Sequence, residues 1–125
     1  MYVVERKYKE TIEYYKVYSA LIYATKDQKK LNYYADVAKI MGIPETGNYM
    51  GAETGHLLGE ISENEYNNER PLLSAVVVKS NTGIPGDGFF TLACQLHKLE
   101  ENATTEQKKV FWKNELNQIY EKWSD

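Results

Sequence analysis

Residues 70–90 read RPLLSAVVVKSNTGIPGDGFF, and the order of residue types in this stretch decides the fold. Pro71 breaks the pattern that precedes it. Residues 72–79, rich in valine, predict a strand buried on at least one face. Residues 80–88 are dense in turn formers and predict a loop or wing. Residues 89–96 are apolar again and predict a return to the core, extended at first and then a short helix.

On the N-terminal side, apolar residues at helical spacing predict three helices. The first runs from about Glu5 to Thr25, with Tyr8, Ile12, Tyr15, Ser19 and Ile22 on one stripe and Tyr14, Val17 and Leu21 widening it. The polar run 26–30 ends it. The second, from about Tyr33 to Met41, buries Tyr34, Val37, Ala38 and Met41; Gly42 stops it and Pro44 bars continuation. The third spans about Met50 to Asn67, with Met50, Leu57, Leu58 and Ile61 on its apolar side. Toward the C-terminus, Thr104 and Gln107 have capping-box spacing. They open a last helix striped by Trp112, Leu116, Ile119 and Trp123.

A chain of 125 residues suits one hydrophobic core, so residues 1–125 form a single domain. No apolar run approaches the ~20 residues of a membrane helix, and no membrane association is expected. The opening Met-Tyr-Val-Val-Glu-Arg-Lys predicts no signal peptide. The single cysteine, Cys94, makes no internal disulfide, which fits a reducing, cytoplasmic setting. Net charge is −3, unevenly spread: residues 1–40 carry +3, residues 41–78 carry −5 and residues 79–125 carry −1. A nucleic-acid partner must contend with that acidic middle.

The order over residues 33–93 is helix, turn, helix, strand, glycine-rich wing and return, which resembles a winged helix-turn-helix. More narrowly, residues 33–42, YYADVAKIMG, resemble the Y-x-x-[VL]-A-x-x-x-G opening of the DNA-binding domain of alkylguanine-DNA alkyltransferases and alkyltransferase-like proteins. The fold implied is α+β and mostly helical, a winged-helix-like core flanked by N- and C-terminal helices. In that family a recognition helix with small residues follows, then a proline-led strand; residues 51–61 and 71–78 stand in those places. The family's strand carries Pro-Cys-His-Arg with a nucleophilic cysteine. Here Leu72, Leu73 and Ser74 follow Pro71, and Cys94 lies well past the strand. The family's recognition helix inserts an arginine into the duplex, and this helix has neither arginine nor lysine. The resemblance therefore implies a scaffold without alkyl transfer.

Gly51, Gly55 and Gly59 recur at i, i+4 and i+8 of the third helix. Each costs ~1 kcal/mol against alanine, so three on one face predict a close approach to the backbone. A packed helix or strand is the first reading and a ligand the second. Gly55→Leu is then expected to be severely destabilising. Glu53, His56, Glu60, Glu63 and Asn67 share another face and predict a solvated acidic surface that repels phosphate. One histidine among scattered carboxylates falls short of a structural zinc site, and no metal is expected. His56, His97, Ser74 and Cys94 form no recognisable nucleophile–base set, so no catalytic residue and no cofactor is assigned.

The candidate ligand-binding residues are Gly47, Asn48, Gly51, Thr54 and Gly55 at the entry of the third helix, Arg70, and Gly86, Phe89 and Phe90. Free N–H groups at a helix start favour an anion. Arg70 is the only basic residue between Lys39 and Lys79, and a phenylalanine ring can stack on a base. A salt bridge from Arg70 to Glu65 or Glu69, and core burial of both rings, are the plainer readings of the same residues. The set predicts a non-enzymatic binding module for a small anionic, nucleotide-like ligand. One alternative is a DNA-binding winged-helix protein touching phosphates through Lys26, Lys29, Lys30, Lys39 and Lys79, disfavoured by the acidic helix. The other is a protein-interaction module, inhibitor or homo-oligomer, using the tyrosine-rich first helix and the tryptophan stripe.

Overall fold

The computed structural model describes residues 3–26 and 30–124. Among the described residues five α-helices surround one buried segment: α1 (Ile12–Lys26), α2 (Tyr34–Met41), α3 (Gly47–Asn67), α4 (Asp87–Gln95) and α5 (Thr105–Trp123). Two strands of two residues each, β1 (Asn32–Tyr33) and β2 (Val77–Val78), pair in parallel, Asn32 with Val77 and Tyr33 with Val78. The protein is thus α+β and mostly helical.

The buried segment is residues 71–78, and only its end is a strand. Leu73–Val76 is a 3-10 turn. Its backbone groups are met by side chains rather than by a neighbouring strand: Leu72 N–H donates to Glu115 (2.8 Å), Ser74 N–H to Ser62 Oγ (3.0 Å), and Trp112 Nε1–H to Ala75 O (2.8 Å). With those groups satisfied locally, a continuous apolar run need not extend into a ladder. The expected strand over residues 72–79 is therefore shortened to two residues.

The loop after β2 is a tight turn, closed by Lys79 N–H to Ile84 O (2.9 Å) and Gly83 N–H to Lys79 O (2.8 Å). It leads directly into α4, so among the described residues no strand returns from it and no hairpin wing forms. The extended stretch expected from Phe89 is helical from Asp87 onward.

Two helix ends follow the sequence closely. α2 stops at Gly42, whose φ of 76° is the left-handed conformation a side chain resists. There Ile43 N–H reaches back to Ala38 O at 3.1 Å. α5 opens on a reciprocal box, Gln107 N–H to Thr104 Oγ1 (3.1 Å) and Thr104 N–H to Gln107 Oε1 (2.8 Å). Its Trp112, Leu116 and Ile119 are buried.

α1 differs from expectation. It begins at Ile12 rather than Glu5, because one carboxylate of α3, Glu60, takes the amides of both Tyr8 and Lys9. Its buried face is Tyr14, Val17, Leu21 and Thr25, leaving Ile12 and Tyr15 exposed. The residues expected only to widen the stripe are its centre. The helix stop expected over residues 26–30 lies partly at residues 27–29, outside the described residues. Among the described residues no helix is long and apolar enough to cross a membrane.

Candidate functional site

A cavity of about 340 Å³ opens between α3 and the start of α4. One wall is the glycine stripe Gly51, Gly55 and Gly59. Gly51 and Gly55 meet no packed neighbour, which overturns the close-packing expectation for the stripe as a whole. A Cβ built at Gly51 or Gly55 finds nothing within 4 Å, and one at Gly59 meets Val4 at an ordinary 3.5 Å. Among the described residues no helix or strand lies against Gly51 or Gly55, so the bare backbone there bounds open space.

The facing wall is the α4 entry, with Gly86, Asp87, Gly88 and Phe89. Gly86 is in close approach: its Cβ would sit a tight 3.2 Å from the Tyr34 hydroxyl, which accepts the Gly86 N–H at 2.8 Å. Burial pushes the Tyr34 phenol above its ordinary value, the Gly86 hydrogen bond opposes this, and Asp87 adds to it. At neutral pH Tyr34 therefore keeps its proton and has one O–H to donate. Ser74, from the 3-10 turn, also lines the cleft with its hydroxyl tied to Ser62 at 2.6 Å. Leu58 and Leu92 supply apolar surface. Lys79 is the cation of the lining and Asp87 the anion, so the site is near neutral and largely apolar.

Of the residues singled out from the sequence, Gly51, Gly55, Gly86 and Phe89 meet around this cleft. Gly47 and Asn48 lie in the exposed first turn of α3, off the lining. Thr54 is buried and donates back to Met50 O at 2.7 Å. Phe90 is buried, edge-on to Phe89 at 5.1 Å.

Arg70 is elsewhere. Its Nε and Nη2 hold Glu65 at 3.0 and 2.9 Å, and its guanidinium lies 5.9 Å from the Trp123 ring. The Glu65 carboxylate is fully buried, also accepts the Tyr18 hydroxyl, and fixes the arginine as its counter-charge. The structural reading of Arg70 is the one the geometry bears out. Tyr34, Ser74 and Lys79 line the cleft although the sequence assigned none of them to a small-molecule site: Tyr34 was read as core, Ser74 as a nucleophile without a base, and Lys79 as a contact for DNA phosphate.

The acidic face of α3 is not solvated. Glu60 and Glu63 are each 4% exposed and accept backbone amides of residues 3–9, while Glu53 is paired with Lys7 at 2.5 Å. His56 Nε2 lies 2.6 Å from Glu5 O and 3.5 Å from Glu60. Among the described residues no three His, Cys, Asp or Glu side chains gather as a metal site.

A larger hollow, about 1080 Å³, lies between the end of α4 and α5. It is a wider, more open depression of mixed lining, with Leu99, Val110 and Phe111 beside Glu100, Glu101 and Glu106, and the α3–α4 cleft has the better-defined shape. Compared with protein-family models, curated proteins and solved structures, the chain finds no match.

Proposed function

We propose that the protein is a non-enzymatic binding module for a small, flat, nucleotide-like molecule, held in the α3–α4 cleft. The observation that carries this reading is a pocket walled on both sides by glycine backbone. Such walls are flat and leave room for a ring. The size is at the lower end of small-molecule sites, ~300–1,000 Å³. The Tyr34 and Ser74 hydroxyls provide directional hydrogen bonds inside, and Lys79 at the rim suits an anionic substituent. Arg70 has no part in it. Calorimetry against nucleosides, nucleotides and cyclic nucleotides tests the reading: saturable binding that weakens in Lys79→Ala supports it, and silence across the panel removes it.

A second reading, DNA binding on a winged-helix-like scaffold, is favoured by the masked acidic face, which takes away the main source of phosphate repulsion. The order α2, turn, α3, β2 supports such a scaffold, with a tight turn where a hairpin wing would stand. Lys30, Lys39 and Lys79 are exposed for phosphate contact, while Lys29 lies outside the described residues. Gel retardation with a steep salt slope supports it; no retardation at low salt ends it. Exposed Ile12, Tyr15 and Tyr23 on α1 favour a protein-interaction surface, for which light scattering reports self-association.

A further inference from the structure

Residues 3–11 form neither helix nor strand, yet they are fastened along α3. Glu63 accepts the N–H groups of Val3 (2.6 Å) and Val4 (3.1 Å). Glu60 accepts those of Tyr8 (2.8 Å) and Lys9 (2.9 Å). Glu53 takes the Lys7 ammonium at 2.5 Å and the Tyr8 hydroxyl. Two buried carboxylates thus each clasp a pair of amides, and a third holds side chains. Apolar support is limited to half-buried Val4 and Tyr8 at the edge of the core. Thr11 N–H to Tyr8 O (2.9 Å) and Glu10 in the left-handed region at φ 72° make the corner from which α1 departs.

We propose that residues 3–9 are a strap that opens as one unit while the helices stay folded, unmasking the Glu53, Glu60 and Glu63 face of α3. The fasteners are polar, including Lys9 Nζ to Asn64 Oδ1 at 3.2 Å and His56 Nε2 to Glu5 O at 2.6 Å, with little apolar packing beneath them, whereas Leu57 and Ile61 on the inner side of α3 are fully buried. Regions with few buried apolar contacts open below the global unfolding free energy. Unity follows from connectivity: releasing Val3 and Val4 from Glu63 frees the chain that holds Tyr8 and Lys9 near Glu60. In the closed form the carboxylates are occupied. In the open form the three of them, within eleven residues of one helix, lose these partners and face solvent, so the strap acts as an internal mask.

Amide hydrogen exchange of the whole chain, read by NMR, tests this. In the wild type the Val3, Val4, Tyr8 and Lys9 amides are expected to exchange together, at least ~10-fold faster than those of residues 57–61. Glu63→Gln is expected to speed all four by a further ~10-fold, including Tyr8 and Lys9, which Glu63 does not touch, while α5 amides keep their rates. Should that variant not fold, Lys7→Ala on the exposed side of the strap makes the same test, with Val3 and Val4 as the remote reporters. Strap amides that exchange at the core rate, or remote amides that do not respond, overturn the proposal.

Discussion

Gly55→Leu reverses sign between the sequence and the structure, which makes it a sharp perturbation. If the glycine stripe met a packed neighbour, four added carbons would cost roughly 1–3 kcal/mol in strain. The structure leaves nothing within 4 Å of the first added carbon, so helix propensity decides the outcome. Leucine is better than glycine in a helix interior by ~0.8 kcal/mol. With ~2.1 cal/mol/K of unfolding entropy per residue, a chain of this length changes Tm by ~4 °C per kcal/mol. Gly55→Leu should therefore raise Tm by ~3 °C, and Gly55→Ala by up to ~4 °C. The leucine side chain also enters the cleft, so any ligand bound there is lost in Gly55→Leu and weakened less in Gly55→Ala. Thermal unfolding by circular dichroism and calorimetry of the two variants read both effects. A lowered Tm for Gly55→Leu refutes the open-face geometry.

Gly86→Ala is the contrasting glycine: its Cβ would lie 3.2 Å from the Tyr34 hydroxyl, so urea unfolding should show a loss of ~1–2 kcal/mol. Arg70→Ala leaves the Glu65 carboxylate buried without its cation and should destabilise by ~3 kcal/mol or more in the same assay, with no change in the affinity of a cleft ligand beyond the folded fraction. Alkaline pH is a further handle. Burial, with Glu60 second, pushes the Tyr14 phenol up to about 12, and burial also raises Tyr34. A phenol with a raised native pKa contributes stability that is complete below the unfolded value of ~10 and is lost as pH climbs through the native value. Chemical unfolding should weaken from pH ~10 toward 12, and Tyr14→Phe should flatten that decline; an unchanged slope counts against the burial argument.

What could be read from the sequence was mostly local. The box at Thr104 and Gln107 and the stop at Gly42 depend on neighbours in the chain, and both appear as expected. The valine run was right in burial and wrong in conformation, because the groups that satisfy Leu72, Ser74 and Ala75 come from Glu115, Ser62 and Trp112, remote in sequence. The same holds for the first helix, whose start is set by Glu60 of α3. Periodicity cannot reveal that a carboxylate will accept two backbone amides from a segment some fifty residues away.

The candidate site shows the same division. Glycine density marked Gly51, Gly55 and Gly86 correctly as bare backbone, since the reason lies in the residue type. The packed neighbour it predicted for the stripe is absent at Gly51 and Gly55, where the backbone faces space. Lone charges were the poorest guide. Arg70 stood out because it was isolated in sequence, but burial of Glu65 decides its position. Lys79, read from the sequence only as one of five lysines for DNA phosphate, is the cation that lines the cleft.

The central claim, a ligand between the two glycine walls, is tested most directly by amide chemical-shift mapping of the labelled chain titrated with the nucleotide panel. Saturable shifts are expected at Gly51, Gly55, Gly86 and Gly88, with Arg70 unmoved. Shifts centred on Arg70 or on the hollow between α4 and α5, or none at any nucleotide concentration, would contradict it.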